Sequence, residues 1–377
     1  ALGAHASHDP AHAEHVLHLL QNKPWAALYV AALFFMLISL GVLAFYAINR
    51  AAQAGWAPIL FRVMEGITGY LPIGALIFFL LLVFSGLHFN HLFIWMDPAV
   101  VAHDKVIQGK TGYLNVPFFL VRAAVYMLGW IAYRQITRKL SKAQDQAHDN
   151  RPFVKAFKWS AGFLVFFLVS ESMMSWDWVM SVDPHWFSTL FGWYVFGSLI
   201  ASAIAAIILV TVTLKSQGYL EHVNDSHLHD LAKYLFGFSI FWTYLWFSQY
   251  LLYWYSNIPE EVTYFVTRLE HYEPIVLSML AINFLLPLLI LVDSDIKRKP
   301  WVVGTMAVVI LVGHYLDFFN MIMPATVGDQ WCIGAGEIGS VLFFFGLFTF
   351  VTFRTLTKAP LVEKNHPLMH ESEHFHY

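Results

Sequence analysis

The chain has 377 residues, of which 58% are hydrophobic, 17% aromatic and only 12% charged, with a formal net charge of -3. So little charge cannot cover the surface of a soluble domain of this length, and no basic excess points to a nucleic-acid partner. The single cysteine, Cys332, excludes an intrachain disulfide, a cysteine-ligated iron–sulfur cluster and haem attachment through a Cys pair within this chain.

Residues 1–24 form a His-rich tail carrying His5, His8, His12, His15 and His18. Metal binding is the functional reading of such a tract. No spacing matches a closed site, so a solvated tail is expected. The chain opens at Ala1 without methionine, and an outward N-terminus needs a delivering segment, so a preceding segment is expected.

Nine hydrophobic runs follow, at 25–48, 70–94, 113–134, 156–175, 188–214, 232–257, 273–293, 301–323 and 335–355. Each is long enough to cross a hydrocarbon core about 30 Å thick. The connections alternate in charge. Of the 22 Lys and Arg, only Lys23, Lys105, Lys110 and Arg268 fall on one side, and Arg122 lies inside a run. The basic side is therefore predicted to be cytoplasmic, with the first residue outside and the C-terminus inside. The stretch 135–155 reads as a helix extension plus a turn that sets topology. The tail 356–377, with His366, His370, His374 and His376, is expected to be solvated.

The outward connections carry FIWMDP (93–98), WDWVMSVDPHWF (176–187), YWYSNIPEE (253–261) and FFNMIMP (318–324). Aromatic belts and helix-stopping prolines account for part of this pattern. The density of carboxylates and histidines there predicts a docking face for extramembrane protein.

Ionisable residues inside a membrane cost about 2.5–3.5 kcal/mol even on lenient scales, so each needs a reason. They converge on the outer half: His88 and His91 in the second run, Arg122 in the third, Glu171 in the fourth with Asp177 at its rim, His314 and Asp317 in the eighth at i, i+3 spacing, and Glu337 opening the ninth. One reading is internal ion pairing, such as Arg122 with Glu171 or Asp317. The other adds a proton relay or quinone-type site, because histidine and buried carboxylates exchange protons near neutral pH. The inner half offers Glu65, Thr68, Tyr126, Tyr133, Asn283, Thr211 and Thr213, read singly as interhelical hydrogen bonds. No catalytic residue, metal site or cofactor site is assigned to this chain alone. Haem is not expected, because the in-span histidines sit near one end. No P-loop, nucleophile elbow, zinc or dinucleotide motif is present.

Five segments together resemble a known family: QNKPWAALYVAALFF (21–35), AAQAGWAPILFRVMEGITGYLP (51–72), SWDWVMSVDPHWFSTLFGWYVFGS (175–198), FWTYLWFSQYLLYWYSNIPEE (241–261) and GHYLDFFNMIMP (313–324). They are similar to the smaller NrfD-like membrane subunit of bacterial alternative complex III, a quinol:electron-acceptor (cytochrome c) oxidoreductase. The resemblance implies an all-α polytopic membrane protein of about nine helices. Residues 25–175 would form a first four-helix bundle, 188–323 a second, and 335–355 a peripheral helix. It implies residence in the bacterial inner membrane. Its expected partners are a larger NrfD-like subunit, an iron–sulfur protein and multihaem cytochrome c subunits on the outer face, besides membrane lipids. Quinol, c-type haems and iron–sulfur clusters would belong to those partners. Members of the family usually have ten helices, so the resemblance implies that the first of them is the one expected to be missing here. A stand-alone proton-coupled secondary transporter is the other function class weighed. Prolines concentrated at run ends, with Pro287 the exception, count against it.

Overall fold

Long apolar runs in hydrocarbon have no water to satisfy backbone N–H and C=O groups, so they close their hydrogen bonds within helices. The computed structural model describes residues 10–376, with side chains from Leu17 onward except position 18. The described chain is 79% helix with no strands. His5 and His8 lie outside the described residues, as do the side chains of His12, His15 and His18.

Ten helices organise the described residues. They are α1 Pro10–Ala51, α2 Pro58–Gly86, α3 Val116–Gln144, α4 Arg151–Trp178, α5 Phe191–Ser216, α6 Asp225–Ser256, α7 Pro259–His271, α8 Glu273–Ile290, α9 Pro300–Val327 and α10 Ala335–Leu356. Eight of them, all but α6 and α7, are long and apolar enough to cross a membrane. The chain is thus a helical, multi-pass membrane protein. The sixth run falls on α6, 32 residues long but diluted by Trp, Tyr, Ser and Gln. α7 is a short amphipathic helix with Glu260 and Glu261 in its first turn.

Burial orders the helices. In α1, 94% of the most apolar stretch is inside the protein, and in α5 83%, against 28% for α4, α8 and α10. A helix hydrophobic all round belongs at the centre. α1 packs against α5, α9, α4, α2 and α10, and α5 against α9 and α6. Elsewhere α3 pairs with α4, and α8 with α9.

Local signals explain most helix starts. The Asn115 side chain accepts from Phe118 N, and that of Asn224 from Ser226 N and His227 N. Prolines open α2, α3, α4, α7, α8 and α9 within their first two positions, where a missing N–H is harmless.

Three expectations are corrected. First, α2 ends at Gly86, not 94. His88 adopts φ 61°, and Phe89 N and His88 N bond back to Phe84 O and Ser85 O at 3.0 and 3.1 Å. With the Phe84–Phe89 ring contact this is a Schellman stop. Second, Pro324 does not end α9, which continues to Val327. Proline deprives the Asn320 carbonyl of its donor, and Arg268 of α7 supplies one at 3.0 Å, donating also to Met321 O at 3.0 Å. Third, the tail after 356 is not solvated throughout. Glu363, His366 and Ser372 are buried, and Glu363 pairs with Arg50 at the end of α1. The Ser372 hydroxyl accepts from Ile59 N and donates to Trp56 O.

Candidate functional site

α9 carries His314 and Asp317 one turn apart on the face turned to α5 and α6. Both are fully buried. The Asp317 carboxylate accepts a short hydrogen bond from the Tyr194 hydroxyl of α5, and one from Trp242 Nε1 of α6 at 2.8 Å. His314 Nδ1 lies 2.9 Å from the Ser198 hydroxyl and 3.9 Å from Asp317 Oδ2. Tyr194 and Ser198 are themselves one turn apart, so three helices contribute to one polar centre. Among the described residues no Arg or Lys is paired with Asp317. A buried carboxylate without a cation carries a large desolvation penalty, which neutral donors and an adjacent imidazole offset in part. His314 Nε2 has no partner among the described residues, nor do the buried amide of Asn283 and hydroxyl of Ser239.

Asn283 sits in a π-helical turn, Ala281–Leu285, within α8. Pro287 lacks the N–H that residue 283 would accept in an α-helix, and the turn widens there. The Asn283 amide then lies over Gly313, where an added Cβ would stand 2.1 Å from Asn283 Oδ1. Glycine is required at that crossing.

The other residues singled out from sequence do not join this centre. Arg122 pairs with Asp177, not with Glu171 or Asp317: Nε and Nη2 reach the two carboxylate oxygens at 2.8 and 2.9 Å. Tyr126 donates to the same carboxylate at 3.2 Å, and the guanidinium lies over the Tyr113 and Phe118 rings. Tyr126 thus belongs to the Arg122 pair and not to an inner set. Glu171 is one and two-thirds turns from Asp177, about 9 Å along the axis, so it faces elsewhere. It is buried, and its Oε1 has no partner among the described residues. Glu337 caps α10, accepting from Gly334 N at 2.9 Å. His88 is exposed in the loop after α2, and His91 meets Asn22 through its backbone. Neither histidine is inside a span, because α2 stops early.

A second polar network, at the opposite end, escaped sequence reasoning. Glu65 of α2 takes Arg138 of α3 in a short ion pair, the Tyr46 hydroxyl at 2.9 Å, Arg62 at 3.6 Å and Arg50 at 3.9 Å. Arg62 also reaches Asp145 at 2.5 Å. Glu363 of the tail pairs with Arg50 and accepts from Ser141 at 2.6 Å. Only the i, i+3 pair Arg62–Glu65 had a local signature. Burial, then the nearby Arg50, pushes the His366 imidazole down to about 3, while burial raises the Glu363 carboxyl despite Arg50. Burial likewise lowers His227 to about 4; its Nε2 is 3.0 Å from Ser372 O. On the other face, the hydrogen bond from His185 holds Asp104 below the usual carboxylate range.

Among the described residues, no group of three or more His, Cys, Asp and Glu could hold a metal ion. The chain matches no protein-family model, and no curated protein matches it at a significant level.

Proposed function

We propose that this chain is an integral membrane subunit of a quinol:electron-acceptor oxidoreductase, of the kind that the smaller NrfD-like protein forms in alternative complex III. In that role it anchors redox subunits on its outer face and passes protons through the Asp317 centre. The carrying observation is that carboxylate: fully buried, unpaired with any cation among the described residues, and held by Tyr194 and Trp242 beside an imidazole with a free edge. A purely structural ion pair looks like Arg122–Asp177, satisfied on both sides. Asp317 and His314 instead stand side by side with no Arg or Lys partner among the described residues and one imidazole nitrogen open, which supports the proton-passing role.

The helix contacts support the finer architecture. α2, α3 and α4 adjoin one another or α1; α5, α6, α8 and α9 are likewise linked; and α10 lies on α1 and α2, while the central α1 packs on both groups. With α6 counted by its length, the spans among the described residues number nine. Charge asymmetry then puts the acidic, aromatic ends outside a bacterial inner membrane and the tail in the cytoplasm. Haems, iron–sulfur clusters and the principal quinol site belong to partner subunits in this reading.

The test is Asp317→Asn in the assembled complex. Asparagine keeps the shape but exchanges no proton, so quinol-dependent turnover is expected to fall about 10²-fold or more while assembly persists. Normal turnover with reduced assembly would make the centre structural. A second reading, a stand-alone proton-coupled transporter, is favoured by one feature, the mid-membrane π turn at Pro287. Purification discriminates: haem-bearing subunits that copurify with the chain exclude it.

A further inference from the structure

At the basic end, α3 and α10 flank the start of the apolar part of α2, and a cavity of about 620 Å³ opens between them. Its rim carries five cations: Arg134, Arg138, Lys142, Arg354 and Lys358. Arg138 is neutralised by Glu65. The other four have no carboxylate partner among the described residues, and Arg134 Nε is buried without any acceptor there. Ile73, Leu347, Phe350 and Val351 give the remaining wall an apolar stretch, beside Gln135 and Thr355. The wall runs on into the exposed face of α10, where Phe350 is 59% and Phe343 60% accessible.

The cavity is preformed. Gly69 meets Thr355 so closely that an added Cβ would stand 2.3 Å from Thr355 Oγ1, which fixes the last turn of α10 against α2. The guanidinium of Arg354 lies 5.9 Å over the Phe350 ring, so that its charge is turned along the groove.

We propose that this groove binds one anionic phospholipid. Its phosphodiester sits among Arg134, Lys142, Arg354 and Lys358, and its acyl chains lie along Leu347 and Phe350. The proposal rests on the multi-pass membrane reading and not on the redox role. Uncompensated cations at the end of an apolar wall match an amphiphile with a negative head. A soluble anion would have no use for the wall. A zwitterionic lipid would set its own ammonium against the rim.

The experiment uses the full chain in detergent, with thermal unfolding followed as lipid is added. Phosphatidylglycerol is expected to raise the unfolding temperature saturably, while phosphatidylcholine of the same chains, or inorganic phosphate, leaves it unchanged. Arg354→Gln with Lys358→Gln, both exposed and at a helix end, should raise the half-saturating lipid ratio about tenfold. Lys155→Gln with Lys158→Gln removes the same charge from α4 outside the groove and should leave it as in the wild type. Arg134→Gln tests the half-buried member separately, with the same expected direction. Equal protection by phosphatidylcholine, protection by phosphate alone, or equal weakening by the α4 pair would each overturn the proposal.

Discussion

Two buried carboxylates, Asp177 and Asp317, are handled in opposite ways. Asp177 receives both forks of Arg122 and a tyrosine hydroxyl, so its charge is matched and its oxygens are filled. Breaking such a pair leaves an uncompensated buried charge. Asp177→Asn is therefore expected to destabilise the chain by about 3–5 kcal/mol in thermal unfolding. Asp317→Asn removes a charge that has no cation, keeps Trp242's acceptor, and should cost far less. If the two substitutions prove equally damaging, the distinction between a structural and an exchanging carboxylate fails. From sequence, counting along a helix put Arg122, Glu171, His314 and Asp317 within helices, but it misplaced His88 and His91, which lie beyond the end of α2 at Gly86. Which carboxylate answers Arg122 was not legible, since that depends on how α3 and α4 are rotated about their axes. Asp177 was read as a rim residue, and it turned out to be the partner.

Hydropathy located the helices but not their limits: Asn115 and Asn224 cap α3 and α6 at Val116 and Asp225, where the apolar runs begin at 113 and 232. The end of α2 was hidden because a histidine, His88, occupies the left-handed position that glycine normally marks. Pro324 misled in the other direction. Its stop signal is cancelled by a side chain 56 residues earlier, Arg268, which satisfies the carbonyl that proline orphans. This makes a coupled prediction. Arg268→Ala should cost about 1–3 kcal/mol, the penalty for buried carbonyls left without a donor. In a Pro324→Ala background the restored N–H takes over Asn320 O, and the loss should shrink. Additive effects in that double-mutant cycle would show that Arg268 acts through something else.

At the scale of the whole molecule, the tail after 356 closes the basic end by contacts with residues near the first, second and third spans and with His227. Nothing local in the tail predicted this, because Glu363 and Ser372 find Arg50 and Trp56 313 and 316 positions away, and His227 finds Ser372 145 positions away. Its docking depends on pH. His366 at about 3 and His227 at about 4 remain neutral when docked, but return to about 6.5 when released. The released state therefore binds more protons, and docking weakens as pH falls from 6.5 towards 4, by up to about 1.4 kcal/mol per unit per histidine. Glu363, raised when docked, opposes this at the acid end of the window. Limited proteolysis of the tail should accelerate between pH 7.5 and 5.5, and His366→Asn should flatten that dependence. An unchanged profile in the variant would remove His366 from the account. For topology, a reporter after Lys142 should read the cytoplasm and one after Glu261 the outside; both on one side would defeat the alternating arrangement.

The Arg50–Glu363 pair joins residues 313 positions apart, and this has a consequence in time. Chains emerge from the ribosome at roughly 5–20 residues per second, so Arg50 waits some tens of seconds for its carboxylate. Once residue 145 has been made, and until Glu363 follows, Arg50, Arg62 and Arg138 share Glu65 and Asp145 alone, an excess of positive charge gathered at one end of a half-built bundle. Such a surplus resists being drawn across the bilayer. Under the proposed topology, the late arrival of Glu363 lets the nascent chain keep its orientation signal while the helices insert, and neutralises part of that signal only when most of the protein is already in place.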